Sequence, residues 1–502
     1  MTFNNPLFFL IFLPLCVLGF DLSGRYGRRA AIGFLSFMSI VFYAVWSVPY
    51  VLLLAGSICW NFFVSRRIYA SAEDEKAQSR WLFAGIAVNL AALGYFKYLF
   101  PFLGFVQTLT QGQWHFSSVI LPLGISFFTF TQIAYLVDLK QGVAQPESFL
   151  TYSFFVTFFP HLVAGPILHN KDLMPQVREE RRYRLNANDV ALGLTWFAMG
   201  MFKKVVVADR IAPVADRMFA NAHHAGTSDA WQGVLTYALQ LYFDFSGYSD
   251  MAVGLARIFS IRFPFNFNSP FKSTSVIEFW QRWHMTLTQY IMSYVYTPIH
   301  LVISRRRRAQ GKKTGLAARN TIDGFLNTVF VPTAATMFLA GVWHGAGLQF
   351  FGFGISHGIY LTINHLWRTF VPAGSLPRRI FSGPVAVVLT MLCVMLAMVQ
   401  FRADGLGDAF AVYAGMLGLH GPGTPLRITS VAKFAGLLGV VWFMPNTQEI
   451  LGEQATQGVA TISLVKSPGF KPTILWWGAA TVTFMLAIAY SSSSTTFLYF
   501  QF

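Results

Sequence analysis

Two histidines sit in apolar sequence, each with a tryptophan beside it. One is His344, within Phe338-Leu339-Ala340-Gly341-Val342-Trp343-His344-Gly345-Ala346-Gly347. The other is His284, at the end of Phe279-Trp280-Gln281-Arg282-Trp283-His284. A near-neutral imidazole in such a setting serves as a general base toward a hydroxyl or thiol. A buried, hydrogen-bonded histidine is also an ordinary core group, and that reading stands beside the first. Ionisable groups at membrane depth are costly, so each is a functional candidate by default. The small residues after His344 allow a helix break or close approach by another chain or ligand.

Further polar residues accompany the pair. Read as one helix, Trp280 to Gln289 places Gln281, His284 and Thr288 on one face and Arg282, Thr286 and Gln289 on a neighbouring one. Such polarity belongs on a substrate path or a helix–helix hydrogen-bond network. In Tyr242-Phe243-Asp244-Phe245-Ser246-Gly247-Tyr248-Ser249-Asp250, Asp244 and Tyr248 are an i, i+4 pair, as are Ser246 and Asp250. Two carboxylates in an apolar helix need partners or they neutralise. Arg282 and His284 are the expected partners, in an ion-pair or a catalytic role.

Other patterns carry less. Gly354-Ile355-Ser356-His357-Gly358 matches a nucleophile elbow, which has meaning only on a strand-to-helix turn, and here it lies in an apolar helix. His161 and His169 bracket Ala164-Gly165-Pro166, and His223-His224 lie in a loop, without the matched carboxylates of a metal site. No metal is expected. The three cysteines, Cys16, Cys59 and Cys393, are scattered through apolar segments with no disulfide or metal spacing. No phosphate-cradling loop is present to support ATP-driven pumping.

The elements that position these residues are membrane helices. Of 502 residues, 54% are hydrophobic and 12% charged, against roughly 25% charged in a soluble domain. Aromatics reach 17%. Apolar runs of membrane-spanning length recur throughout, and the dyad alternation of an outer-membrane barrel is absent. The fold class is all-α polytopic membrane protein. The net charge of +16 comes from short basic clusters between apolar runs: Arg25, Arg28 and Arg29; Arg66 and Arg67; Arg178, Arg181, Arg182 and Arg184; Arg305 to Arg308 with Lys312 and Lys313. They fit the cytoplasmic side of a membrane protein. Nucleic acid is not an expected partner.

Apolar segments fall at 6–20, 30–46, 48–64, 81–106, 119–137, 150–167, 188–207, 231–258, 275–302, 321–342, 347–367, 383–401, 431–444 and 472–490. The first reads as a spanning helix with its N-terminus outside, since the positive charge follows the run. Keeping the basic clusters cytoplasmic requires one stretch before 171–184 that does not cross. The run at 119–137, broken by Pro122 and Gly124, is the expected one. The same parity makes 275–302 re-entrant, with His284 facing the protein interior. No internal repeat is visible. The chain is expected to form one integral-membrane domain over 1–502, with a core at about 120–400 and additional helices over 401–502.

The ordered motifs resemble the membrane-bound O-acyltransferase (MBOAT) family, in its bacterial polysaccharide O-acetylation branch. The resemblance runs from Phe9-Leu10-Ile11-Phe12-Leu13-Pro14-Leu15 through Phe158-Phe159-Pro160-His161-Leu162-Val163-Ala164-Gly165-Pro166-Ile167 and Asp244-Phe245-Ser246-Gly247-Tyr248-Ser249-Asp250. It continues through Phe265-Asn266-Phe267-Asn268-Ser269-Pro270-Phe271, the His284 and His344 stretches, and Phe497-Leu498-Tyr499-Phe500-Gln501-Phe502.

The resemblance implies a ring of roughly 11–13 transmembrane helices plus re-entrant ones around a central tunnel. It implies His344 as the catalytic position and His284 as the second histidine. Asn268, Arg282, Asp244, Asp250, Trp280 and Trp343 are implied as tunnel or donor-binding residues. His344 would act as base on the acceptor, His284 or Asn268 would orient the donor or stabilise the oxyanion, and Asp244, Asp250 and Arg282 would brace the wall. The implied donor is acetyl-CoA or another acyl thioester on the cytoplasmic side, with no bound cofactor. The implied partner is a periplasmic SGNH, lipase-like acyltransferase, and the acceptor is an alginate- or cellulose-type polysaccharide outside a bacterial inner membrane. D-alanyl transfer to teichoic acid is the alternative enzyme. A transporter or flippase without acyl chemistry is the alternative class.

Overall fold

The computed structural model describes residues 2–110, 119–179, 183–453, 469–471, 473–491 and 497–498. Arg181 and Arg182, and Tyr499 to Phe502 of the final motif, lie outside the described residues. Among the described residues every regular element is helical, as the composition requires. Among the described residues five helices are long and apolar enough to cross a membrane: Val48–Ala70, Glu75–Thr110, Ala187–Ala220, Ile322–His344 and Gly383–Arg402. Phe8–Gly24, Ile428–Phe443 and Trp476–Tyr490 are shorter apolar helices.

Two of the expected segments differ from a simple reading. The run at 119–137 becomes a helix only from Ile125 to Lys140, sixteen residues or about 24 Å. Gly124 before it has φ +73°, and a Cβ there would lie 2.6 Å from the Leu162 carbonyl oxygen. The run at 150–167 is interrupted more strongly. It divides into Phe149–Thr157 and Phe159–Leu162 at Phe158, whose ψ of 110° leaves the helical region, with Pro160 just beyond. Nine residues rise only about 14 Å. The helix break expected within 119–137 is therefore matched by one within 150–167, where a helix-terminating residue and a proline coincide.

The chain forms two compact units. Of the described residues, the first comprises those within 1–206, 244–265 and 469–498; the second comprises those within 207–243 and 266–453. In the first unit, Ala187–Phe202 packs against the second half of the 32-residue helix Thr227–Ile258 through four glycines. A Cβ on Gly193 would meet the Gly254 carbonyl oxygen at 2.6 Å, and one on Gly200 would meet that of Gly247 at 2.5 Å. The pairing runs antiparallel, and each helix spaces its glycines seven residues apart, two turns on one face. Backbones in contact are the membrane solution for packing where lipid offers no hydrophobic drive.

The second unit repeats the device. Val331–His344 and Leu348–Phe370 form an antiparallel pair joined by Gly345-Ala346-Gly347. A Cβ on Gly341 would lie 2.3 Å from the Phe350 carbonyl oxygen, and one on Gly354 would lie 2.5 Å from that of Met337. Glycine at these two places sets the distance between the helices and so the position of His344 at the end of the first.

Candidate active site

The stretch around His284 is not one helix. Val276–Arg282 ends at Trp283, and Met285–Ile291 begins after His284, which has φ +44° and ψ +52°. The expected single helix, with Gln281, His284 and Thr288 on one face, is corrected here. A non-glycine residue in the left-handed region is uncommon and is held only by surrounding structure.

The loop at Asn266 to Ser269 supplies that structure. The Met285 N–H donates to the Asn266 carbonyl at 2.9 Å, and the Asn268 N–H donates to the Arg282 carbonyl at 2.9 Å. The Arg282 guanidinium returns a bond to the Asn268 carbonyl at 3.1 Å and pairs with Glu278 at 2.8 Å. Asn446 and Gln448 donate to the Asn268 side-chain oxygen at 3.1 and 3.4 Å. Two strands of non-helical backbone are thus laced together in the protein interior, the setting in which irregular backbone at membrane depth is tolerated.

Asn266 fixes the imidazole as well. Its Oδ1 accepts from the Thr286 N–H at 3.3 Å and from the Thr286 hydroxyl at 3.0 Å, and lies 3.0 Å from His284 Nδ1. A backbone N–H can only donate, so the atom it meets is the amide oxygen. That oxygen can only accept, so His284 Nδ1 carries the proton. The neutral ring then presents Nε2 as a lone-pair nitrogen, an acceptor and a base. An oxyanion donor at Nε2 would need the imidazolium.

His344 is the last residue of Val331–His344 and is 7% exposed. Gly345 follows in an extended conformation, and a Cβ on it would strike the Phe350 ring at 2.2 Å. Phe353 and Phe401 stand edge-on to the imidazole, with centroids at 5.8 and 4.8 Å. Trp343 joins the histidines: its ring centroid is 4.7 Å from that of His344 and 6.3 Å from that of His284. Both therefore contribute to one buried aromatic cluster in the second unit, joined through the Trp343 indole.

Trp280 turns to a third histidine. Its Nε1–H donates to His357 Nδ1 at 3.2 Å, so neutral His357 carries its proton on Nε2. His357 also packs on Phe353, centroid to centroid at 4.7 Å. Sequence reasoning met His357 only inside the Gly-x-Ser-x-Gly match. Ser356 is no elbow nucleophile: it sits within Leu348–Phe370 and bonds Gln400 at 3.1 Å.

Asp244 and Asp250 belong to the first unit, in a cluster of their own. Asp244 pairs with Lys204 at 2.5 Å and accepts the Leu498 N–H at 3.1 Å. Asp250 pairs with Lys203 at 2.7 Å and lies 3.3 Å from Trp196 Nε1. The expected partnership with Arg282 and His284 is replaced by two lysines on the π-helical turn Lys203–Ala208. Lys203 and Lys204 follow directly on the apolar run that ends at Phe202, and that adjacency was the available signal. Asn266 stands in the sequence only as one member of the Phe265-Asn266-Phe267-Asn268-Ser269-Pro270-Phe271 motif.

Residues 107–317 match the family model of MBOAT, membrane-bound O-acyltransferase family. That range holds Asp244, Asp250, Asn268, Arg282 and His284. A peptidoglycan O-acetyltransferase of Helicobacter pylori is 37% identical across 84% of this chain and 80% of its own length. A probable alginate O-acetylase, AlgI, of Pseudomonas aeruginosa is 37% identical across 83% of this chain and 75% of its own.

The chain belongs to the membrane-bound O-acyltransferase family.

This acyltransferase is also 26% identical, across 80% of its chain, to a teichoic acid D-alanyltransferase of Streptococcus thermophilus. The family expectation from the motifs is borne out, as are the all-α multi-pass membrane fold and the acyltransferase activity. The two histidines expected to be catalytic are brought to one cluster by the structure, while the aspartates serve a separate ion-pair cluster.

Proposed function

We propose that this enzyme transfers an acetyl group from a cytoplasmic thioester donor, acetyl-CoA or a related acyl thioester, toward the hydroxyls of a polysaccharide outside a bacterial inner membrane. The observation that carries the reading is the Trp343 cluster, where His284 and His344 meet one indole in a buried aromatic setting. The names of the relatives, acting on peptidoglycan and alginate, support acetyl transfer to a polysaccharide. Their acceptors widen the expected alginate or cellulose to glycans in general.

His344 is the general base. It removes the proton of the acceptor hydroxyl as the oxygen attacks the thioester carbonyl, and the C–S bond then breaks to release the thiolate, which takes up that proton. General base assistance of this kind is worth about 100-fold or more. His284, protonated on Nδ1 by virtue of Asn266, accepts a hydrogen bond at Nε2 from donor or acceptor and orients it. Asn268 and Arg282 hold the loop that keeps His284 in its left-handed conformation. Trp280 and Trp343 line the apolar path. A lipase-like extracytoplasmic protein is the natural recipient where the glycan itself does not reach the cluster.

The test is reconstitution into vesicles with radiolabelled acetyl-CoA, with and without a soluble glycan acceptor. Covalent transfer dependent on His344 supports the reading. Movement of label without covalent turnover would instead indicate a transporter.

A further inference from the structure

A cavity of about 510 Å³ lies apart from the histidine cluster, within the second unit. It is lined by Arg217, His224, Asp229, Gln232, Leu426 and Arg427, among others. We propose that it is a binding site for a carboxylate-bearing, hydroxyl-rich glycan on the extracytoplasmic side. The proposal rests on the polysaccharide reading above and names its acceptor as acidic.

The walls are built, not accidental. The Thr227 and Ser228 N–H groups donate to the carbonyls of Gly421 and Pro422 at 2.9 and 3.0 Å. Asp229 accepts the Thr424 N–H at 3.0 Å. A Cβ on Gly226 would lie 2.3 Å from Gly423 Cα, so the two loops touch backbone to backbone. Trp231 Nε1–H donates to the Met416 carbonyl at 3.0 Å, and Arg402 pairs with Asp216 at 2.9 Å. The segment carrying Arg427 is therefore fixed against the one carrying Arg217.

The lining is left with unused polar groups. Among the described residues neither Arg217 nor Arg427 has an ion pair or a side-chain hydrogen bond, whereas Asp229, the one carboxylate of the lining, is engaged by Thr424. The His224 ring and the Gln232 amide are likewise without a side-chain partner among the described residues. Guanidinium groups take carboxylates in paired hydrogen bonds. An imidazole and an amide suit hydroxyls, and exposed Leu426 offers a surface for the C–H face of a sugar. The volume falls within the ~300–1,000 Å³ of small-ligand sites, enough for a short run of sugar units.

Charge places the cavity. The basic residues Arg368, Arg378 and Arg379 precede Gly383–Arg402, a helix long and apolar enough to cross a membrane. Residues 403–426 then contain no lysine or arginine and two aspartates. With the basic ends cytoplasmic, this loop and the cavity beneath it face the other side, where a polysaccharide is.

The experiment is calorimetric titration of the full-length protein in nanodiscs. The probes are an oligouronate, a muramyl-containing oligosaccharide and a neutral cello-oligosaccharide of equal length. An acidic glycan binds, its affinity falls as salt is raised, and the Arg217→Gln/Arg427→Gln double variant loses at least about tenfold. The Arg217→Lys/Arg427→Lys variant recovers part of that loss. The two acidic probes distinguish a uronate from a lactyl carboxylate source. Glycan binding without acetyl transfer by the wild-type protein would overturn the catalytic reading and leave the site standing. Equal affinity for the neutral glycan overturns the proposal. So does undiminished binding by a double variant with unchanged thermal unfolding, or retention of a partner protein with no glycan affinity.

Discussion

Lys204 and Asp244 form an ion pair 2.5 Å long in which the lysine is 0% and the aspartate 2% exposed. Two charges are taken out of water for one contact, with the Leu498 N–H as a further donor to the carboxylate and the Phe497 ring 4.8 Å from the ammonium. Such a pair is weak support for stability when kept and costly when halved. Lys204→Met should therefore destabilise the protein by about 3–5 kcal/mol, seen as a lower unfolding midpoint in detergent. The Lys204→Met/Asp244→Leu double variant should regain most of that loss. That double variant should also keep acetyl transfer, whereas a catalytic role for Asp244 would leave it stable but inactive.

Asn266 carries three donors on one oxygen. Asn266→Ala leaves the Thr286 N–H and hydroxyl and His284 Nδ1 without that acceptor, at a cost of about 1–3 kcal/mol. It also releases the tautomer of His284. The expected outcome is an acetyl-transfer rate reduced by about tenfold or more, with protein still inserted in the membrane. The nitrogen chemical shifts of labelled histidine report the tautomer directly, and an unchanged His284 signal would count against the assignment.

How legible was this in the sequence? The membrane class follows from composition, and His284 and His344 stand out because charge-capable groups in apolar runs are rare. What the residue pattern could not give is the break at His284, because helix periodicity continues through Trp280 to Gln289 and the left-handed turn is imposed from sequence-distant Asn266 and Asn268. The partners of Asp244 and Asp250 were misjudged for a related reason. Lys203 and Lys204 look like a basic end following an apolar run, and only the glycine-to-glycine packing of Gly193 on Gly254 and Gly200 on Gly247 brings them across to the carboxylates.

Gly341 sets the spacing of the helix that ends in His344. Gly341→Val pushes a branched side chain onto the Phe350 carbonyl, where even a Cβ would lie at 2.3 Å. Overpacking of this kind costs about 1–3 kcal/mol and displaces His344. Transfer should fall more than membrane abundance, and a matched blot and rate assay separates the two.

Ser356 offers a control. It bonds Gln400 from the middle of a helix and has no place in the proposed chemistry. Ser356→Ala should retain acetyl transfer within about twofold, as a modest side-chain loss away from the site does. A collapse in rate with stability intact would reopen the nucleophile reading.

The most direct test of the central claim is the rate of label transfer from radiolabelled acetyl-CoA to a glycan or partner acceptor by the His344→Ala protein, inserted in vesicles at wild-type level. The account predicts a loss of at least about 100-fold with membrane abundance and unfolding midpoint unchanged. Transfer at the wild-type rate would contradict it, and so would loss of the folded protein in place of loss of activity.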